Sequence, residues 1–206
     1  MQQGLLIVIS GPSGVGKNTI ISNLLDKLPN LRYSISATTR NPRPHEVDGQ
    51  HYYFISEELF LKKIEAMEFL EWAKVYKDYY GTPKDQILKL LEQGIDVILD
   101  VDVQGALQIK KAYPEALLIF LAPPSIAELK NRLINRHTED SSQIETRLRY
   151  IETEFQNVPS YDYFVINQEI NLTCSKIEGI ILAEKCRVSR QEANFLNKIF
   201  GNDNNS

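Results

Sequence analysis

Four short runs of almost unbroken apolar residues constrain the fold of this chain more than any other feature. They lie at 5–10, 96–101, 116–122 and 163–167. Strands that are covered on both faces have this composition, because every side chain contacts a packed layer. Helical patterns separate the runs and predict helices at 17–28, 83–93, 103–112, 125–136 and 142–157. The alternation predicts an α/β fold with a parallel sheet core flanked by helices.

Two polar segments interrupt this alternation of predicted strands and helices. Residues 33–82 are rich in Tyr, Thr, Arg and Pro and contain the strand-like pieces YSISAT and HYYFI, which predicts an inserted lobe. The segment at 135–147 begins with the polar stretch NRHTEDSS and is interpreted as a small lid. The remaining chain is expected to form one core, 1–32 with 83–134 and 148–200. A final helix is predicted over about 171–199, with a disordered tail at 201–206.

Bulk properties exclude several classes of protein. A chain of 206 residues fits one compact unit, and a net charge of −4 argues against broad binding to nucleic acid. No apolar run reaches the roughly 20 residues that span a bilayer, and the N-terminus lacks a secretory pattern. Cys174 and Cys186 fall in one predicted helix about 18 Å apart, too far for a disulfide. Both thiols are expected to be buried in a protein of the reducing cytoplasm.

A glycine-rich loop follows the first apolar run. Glycines at 11, 14 and 16 allow a tight turn that directs backbone N–H groups toward a phosphate, and the next helix adds its positive end. Lys17 supplies a mobile cation for the β- and γ-phosphates. The predicted ATP phosphate site comprises Gly11, Pro12, Ser13, Gly14, Val15, Gly16, Lys17, Asn18 and Thr19.

Asn18 occupies a position where Ser or Thr normally contacts Mg²⁺. Magnesium tolerates this change because it keeps several waters and depends on the substrate phosphates. The loop is therefore predicted to bind nucleotide phosphates. Asn18 disfavours a GTPase, in which a Ser or Thr ligand to Mg²⁺ is expected at this position. Asp100 ends the second apolar run, at the expected carboxyl edge of the sheet, and is predicted to hold Mg²⁺ through water.

The inserted segment carries groups suited to a second nucleotide. Arg40, Arg43 and Tyr52 offer two guanidinium groups and a phenol, which suit a terminal phosphate monoester. Glu71 lies between apolar residues and could accept hydrogen bonds from the two adjacent N–H donors of guanine. The alternative interpretation of Glu71 is a surface charge on a helix.

A longer pattern in the same segment resembles a known family. The spacing T-[ST]-R-x2-R-x2-E-x2-G-x2-Y-x-F is matched by Thr38, Thr39, Arg40, Arg43, Glu46, Gly49, Tyr52 and Phe54. The later blocks YYGT, LDVDVQGA and APPS are also similar to those of the guanylate kinase family of P-loop nucleoside monophosphate kinases. The resemblance extends over about 4–190 and implies Mg²⁺-dependent phosphoryl transfer from ATP to GMP.

The resemblance also implies individual roles. The groups expected to bind the GMP phosphate are Arg40, Arg43, Tyr52 and Tyr80. Those expected to recognise guanine are Ser36, Glu71, Thr82 and Asp102. The catalytic cations would be Lys17 with two lid arginines, Arg136 and Arg147, while Asn167 would lie near the adenine of ATP. His137 differs from the family, which commonly has Gly there.

Two other functions compete with this interpretation. Guanylate kinase-like domains also serve as non-catalytic protein-binding modules, but those typically lose P-loop residues that this chain retains. A P-loop kinase with another acceptor, such as AMP, is the second alternative, and Glu71 with Ser36 and Thr82 favours guanine over it. The expected partners are the small molecules ATP and GMP, without nucleic acid or membrane. The sequence is compatible with a homo-oligomer as well as with a monomer.

Overall fold

The computed structural model describes residues 2–134 and 151–190. Its strands, in chain order, are β1 Leu6–Ser10, β2 Leu31–Tyr33, β3 Ala37–Thr38, β4 Tyr53–Phe54, β5 Phe69–Val75, β6 Asp78–Pro83, β7 Asp96–Asp100, β8 Leu117–Ala122 and β9 Tyr163–Ile166. Its helices are α1 Lys17–Lys27, α2 Glu57–Glu65, α3 Lys84–Glu92, α4 Val103–Ala112, α5 Ile126–Ile134, α6 at 151–156 and α7 Ile170–Lys185. Short 3₁₀ helices cover Val158–Ser160 and Val188–Arg190.

The main sheet has the order β2-β7-β1-β8-β9, and all of its neighbouring strands are parallel. The predicted α/β fold with a parallel sheet core is confirmed, and each of the four apolar runs forms one of these strands. The edge strand β2 was not predicted, since three residues are too few for a recognisable pattern. Its last residue, Tyr33, pairs with Ile98, so the residue at which the inserted lobe was predicted to begin belongs to the main sheet.

The three central strands, β7, β1 and β8, are buried on both faces of the sheet, which explains why their sequences are almost entirely apolar. Ile7 and Ile9 of β1 pack with Leu24 of α1 and Ile177 of α7 on one face. Leu6 and Val8, which alternate with them, pack with residues of α3 and α4 on the other face. Each such side chain contributes about 1.5–3 kcal/mol on burial. Because β1 is central, these two layers hold the residues that follow it in place.

A second sheet lies within the segment 33–82, with the order β4-β3-β6-β5. Phe60 of α2 packs against it, with ring centroids 4.4 Å from Phe69 and 5.4 Å from Tyr79. The predicted strand-like pieces YSISAT and HYYFI contain β3 and β4 but are longer than these strands. The β5–β6 hairpin and helix α2 were not predicted. This small sheet has its own apolar cluster, which includes Phe60, Phe69 and Ala37.

The prediction of one final helix from 171 was wrong over residues 186–190. Helix α7 ends at Lys185, and the Cys186 N–H bonds back to the carbonyls of Ala183 and Glu184. Arg187 and Arg190 then place their Nε atoms 3.2 Å and 3.5 Å from the buried Glu184 carboxylate, which bends the chain around that charge. Residues 191–206 lie outside the described residues, as does the predicted lid at 135–147.

The two thiols differ in environment. Cys174 is buried in the main core, but Cys186 is exposed, so the prediction that both are buried was wrong for Cys186. Cys186 is the residue that caps the C-terminal end of α7. Neither thiol forms a disulfide. Within the described residues, no helix is both long enough and apolar enough to cross a membrane.

Candidate active site

The glycine-rich loop joins β1 to α1 and requires glycine for two reasons. Gly11 and Gly16 have φ values of 143° and 102°, a region that favours glycine. A Cβ on Gly11 would lie 2.1 Å from the Leu121 carbonyl oxygen, and one on Gly16 would lie 2.7 Å from Asn167 Nδ2. The loop is therefore packed tightly against β8 and against the residue that follows β9.

Lys17 begins α1 and folds back over the loop. Its Nζ donates a 2.8 Å hydrogen bond to the Gly11 carbonyl and lies 3.9 Å from Asp100 Oδ1. Because Gly16, the N-cap residue, has no side chain with which to cap the helix, the first-turn N–H groups of α1 are available to an anion. The helix dipole adds further positive potential at the same point.

Two acidic residues lie beside this loop. Asp100 ends β7, which pairs with β1, and burial raises the pKa of its carboxyl while Lys17 opposes that rise. Asp102 is the N-cap of α4 and accepts a 2.8 Å hydrogen bond from the Gly105 N–H. Asp100 and Asp102 thus reach the carboxyl edge of the sheet for different reasons, one as a strand end and the other as a helix cap.

A cavity of about 450 Å³ contains most of the predicted phosphate site. Its lining residues are Gly11, Ser13, Gly14, Gly16, Lys17, Asn18, Thr19, Asp100, Val101, Asp102 and Glu154. Sequence reasoning missed Glu154, since a single glutamate on a predicted amphipathic helix carries no distinguishing signal. A second cavity of about 340 Å³ shares Asn18 and Asp100 with the first and extends to Tyr52. The phosphate loop and the inserted segment therefore face each other across these two shared residues.

On the inserted segment, Arg40 is held by Glu46. Its two terminal nitrogens donate hydrogen bonds of 2.8 Å and 2.9 Å to the two carboxylate oxygens. The Arg43 backbone N–H also donates to Glu46, at 2.6 Å. The Arg40 hydrogen bond, followed by that of Arg43, lowers the pKa of Glu46 to about 2. This fork-to-fork pair orients the guanidinium group before any substrate arrives.

Aromatic rings surround the same guanidinium group. The Arg40 Cζ lies 5.5 Å from the Tyr52 ring centroid and 5.7 Å from that of Phe54. Tyr52 in turn meets Tyr80 edge to face at 6.1 Å. The structure therefore brings together three of the four predicted GMP phosphate ligands, whereas the side chain of the fourth, Arg43, is exposed.

Glu71 lies on strand β5 and is only 9% exposed, so its interpretation as a surface charge on a helix was wrong. The β5–β6 pairing places Thr82 opposite it, and Thr82 Oγ1 donates a 2.5 Å hydrogen bond to Glu71 Oε1. Burial raises the pKa of Glu71 to about 7; Asp102 adds to this rise, and the Thr82 hydrogen bond opposes it. Ser36 immediately precedes β3, whose first residue, Ala37, pairs with Gly81, the neighbour of Thr82 in the chain.

Asn167 lies directly after β9, is 5% exposed, and contacts the phosphate loop. Its Nδ2 donates a 2.8 Å hydrogen bond to the Val15 carbonyl. Its Oδ1 accepts a 3.1 Å hydrogen bond from Thr173 Oγ1 of α7. The predicted lid residues Arg136, His137 and Arg147 lie outside the described residues.

A glycine loop at the carboxyl end of a central parallel strand, with a lysine and a strand-end carboxylate beside it, defines a P-loop nucleotide-binding protein. A family model described as guanylate kinase matches residues 3–184. The chain therefore belongs to the guanylate kinase family.

Individual relatives agree with this assignment. The guanylate kinase of Caldanaerobacter subterraneus subsp. tengcongensis is 53% identical over 195 residues, which is 95% of each chain. That of Clostridioides difficile is 49% identical over 190 residues, 92% of this chain and 93% of its own. A crystal structure of guanylate kinase from Anaplasma phagocytophilum superposes with a TM-score of 0.76 at 30% identity, covering 96% of this chain and 94% of the other.

Proposed function

We propose that this chain transfers the γ-phosphoryl group of ATP to GMP, giving ADP and GDP. The observation that carries the choice of GMP is the buried Glu71 carboxylate, paired with Thr82 and adjacent to Asp102. An acceptor-only carboxylate matches the N1–H and N2–H donors of guanine, whereas adenine has no such pair of donors on that edge. A buried site of this kind rejects a base that leaves its acceptor unpaired.

The ATP phosphates would occupy the 450 Å³ cavity. The amides of the loop and the first turn of α1 would donate to them, and Lys17 would leave the Gly11 carbonyl to reach the β- and γ-phosphates. Thr19 lines the same cavity and offers a hydroxyl on the α-phosphate side. These groups bind and orient the donor without forming any covalent bond to it.

The GMP phosphate would be bound by the Arg40, Tyr52 and Tyr80 group, with Arg43 joining from its exposed position. Arg40 is already oriented by Glu46 and by two aromatic rings, so little side-chain entropy is lost when the phosphate binds. Ser36, Thr82 and Asp102 would complete the guanine site around Glu71. The acceptor phosphate would then face the donor across Asn18 and Asp100, which line both cavities.

The residues present fit a magnesium ion that is bound mainly through the nucleotide. Among the described residues, no group of three or more His, Cys, Asp or Glu is arranged to hold a metal by itself. Asp100 is a partly buried carboxylate on the cavity wall, and Asn18 offers a side-chain oxygen nearby. Asp100 would hold Mg²⁺ through water, as Mg²⁺ favours when phosphates supply its other ligands. When bound, the ion would neutralise charge on the transferring phosphoryl group.

We infer that the segment 33–82 and the lid at 135–147 close over the substrates to exclude water. Arg136 and Arg147 would then add positive charge around the γ-phosphoryl group. We place the enzyme in the cytoplasm, which suits its two unpaired thiols, with ATP and GMP as its small-molecule partners.

An ADP-release assay coupled to a reporter reaction tests this function. With ATP and Mg²⁺ present, GMP, AMP, CMP and UMP are compared as acceptors at equal concentrations. We expect fast ADP release with GMP and release near the background rate with the other three. Fast release with AMP would overturn the guanine assignment but keep the kinase. GMP binding without turnover would favour a non-catalytic protein-binding module instead.

A further inference from the structure

The side chain of Asn167 is separated from the phosphate loop by about three quarters of the chain, yet it hydrogen bonds to that loop. The Val15 carbonyl is only an acceptor, so the amide nitrogen of Asn167 must be the atom that faces it, at 2.8 Å. This contact fixes the orientation of the amide. It leaves Oδ1 facing Thr173 Oγ1, which donates at 3.1 Å.

Burial makes both hydrogen bonds costly to lose. Asn167 and Thr173 are 5% and 1% exposed, and Val15 is completely buried. Removing Nδ2 would leave the Val15 carbonyl without that donor in a place that water reaches poorly. Thr173 belongs to α7, which packs on α1 through the main core. The amide therefore links the phosphate loop to β9 and α7.

The amide also touches the loop where the loop conformation matters most. Nδ2 lies 2.7 Å from the position that a Cβ on Gly16 would occupy, and Gly16 is the N-cap residue of α1. The peptide units around Val15 and Gly16 carry N–H groups that bind phosphate in such loops. Fixing the Val15 carbonyl fixes the peptide plane that follows it, including the Gly16 N–H.

We propose that Asn167 is a positioning residue, whose amide holds the phosphate loop in the conformation that binds the triphosphate of ATP. It acts through Val15 and Gly16, and not by contacting adenine. The proposal rests on the proposed function, because it requires that this loop binds ATP. It assigns to Asn167 a task at the opposite end of the donor nucleotide from the one that the family resemblance implies.

Binding of two ligands, measured by calorimetry, separates these tasks. ATP contains adenine, whereas inorganic triphosphate contains only the phosphates. The variant Asn167→Leu keeps a similar volume and removes the two side-chain hydrogen bonds, the one to the Val15 carbonyl and the one from Thr173 Oγ1. We expect it to weaken the binding of ATP and of inorganic triphosphate by similar factors, about tenfold each. It should also speed amide hydrogen exchange in the loop and leave GMP binding unchanged.

Asn30→Leu provides the matched control. Asn30 is an exposed asparagine whose Nδ2 also donates to a backbone carbonyl, that of Gly94, at 2.8 Å, but it lies away from the phosphate cavity. This variant should bind both ligands as the wild type does.

A second variant, Thr173→Val, keeps the shape of the side chain and removes only the hydrogen bond to Asn167 Oδ1. We expect it to weaken the binding of ATP and of inorganic triphosphate by similar factors, each smaller than the factor for Asn167→Leu.

Several outcomes would overturn the proposal. Weaker ATP binding with unchanged triphosphate binding would show that Asn167 contacts adenine. Unchanged binding of both ligands would show that the loop does not need the amide. Should Asn167→Leu fail to fold, Thr173→Val decides, and unchanged binding of both ligands there refutes the link. A folded wild type that binds neither ligand would instead refute the proposed function.

Discussion

Thr82 Oγ1 and Glu71 Oε1 are joined by a 2.5 Å hydrogen bond across the β5–β6 hairpin. The pair is buried, and Asp102 lies close enough to raise the pKa of the glutamate further. The hydrogen bonds that this carboxylate accepts from the side chain and the backbone of Thr82 leave further acceptor positions on its two oxygens, which suits a ligand that brings two adjacent donors.

Replacing this carboxylate should remove guanine recognition. Glu71→Gln places an N–H donor where guanine also presents donors, so we expect KM for GMP to rise by about 10- to 100-fold, equivalent to roughly 1–3 kcal/mol. ATP binding should remain as in the wild type. The measurement is steady-state kinetics with GMP as the varied substrate. The exposed Glu65→Gln variant is the control, and a similar loss there would point to a general effect of lost charge.

GMP affinity should depend on pH through the same group. The pKa of Glu71 is raised to about 7, so its proton is held below that pH and lost above it. Guanine requires the ionised form, and affinity should therefore increase by about tenfold between pH 6 and pH 8. Calorimetric titration at several pH values measures this slope, and Glu71→Gln should flatten it. An equally steep slope in that variant would assign the dependence to another group.

The same raised pKa affects stability in the opposite direction. A carboxyl group whose pKa is higher in the folded state stabilises the fold most below its unfolded pKa, and this contribution is lost as pH rises through about 7. Without GMP, wild-type unfolding free energy should therefore decrease relative to that of Glu71→Gln between pH 5 and pH 8. Denaturant titrations of both proteins over this range measure the difference. A difference that does not change with pH would contradict the assigned pKa.

Arg40 should not be replaceable by lysine. Lysine cannot form the two-pronged pair with Glu46 or present a flat face to Tyr52. We expect Arg40→Lys to raise KM for GMP by about tenfold or more while KM for ATP changes little. Arg32→Lys, at an exposed arginine of β2, is the matched control. Equal effects on both substrates would argue that Arg40 supports the fold and does not bind GMP.

The lid arginine Arg147 should act on turnover more than on binding. Its role follows from the family resemblance, since it lies outside the described residues. If it stabilises charge that develops during transfer, Arg147→Ala should lower kcat by about 100-fold or more and leave GMP affinity within a few fold. Stopped-flow kinetics and a GMP binding isotherm give the two quantities. Near-normal turnover would refute the assignment.

Family, fold class and the phosphate loop could be predicted from the sequence because each depends on local pattern. Unbroken apolar runs indicate strands covered on both faces, and the glycine spacing before Lys17 indicates a turn that binds phosphate. The edge strand β2 and the end of α7 could not be predicted in the same way. The first is too short to show a pattern, and the second ends where a buried Glu184 attracts two arginines.

The sequence by itself thus determined which elements form and which residues could carry phosphate chemistry. Only the tertiary structure decided how those residues are used. The hairpin register placed Thr82 on Glu71, and helix α4 brought Asp102 to the same carboxylate. Asn167 meets Val15 across 152 positions of the chain. Contacts of this kind depend on packing and register between distant segments, and no local period or turn preference encodes them.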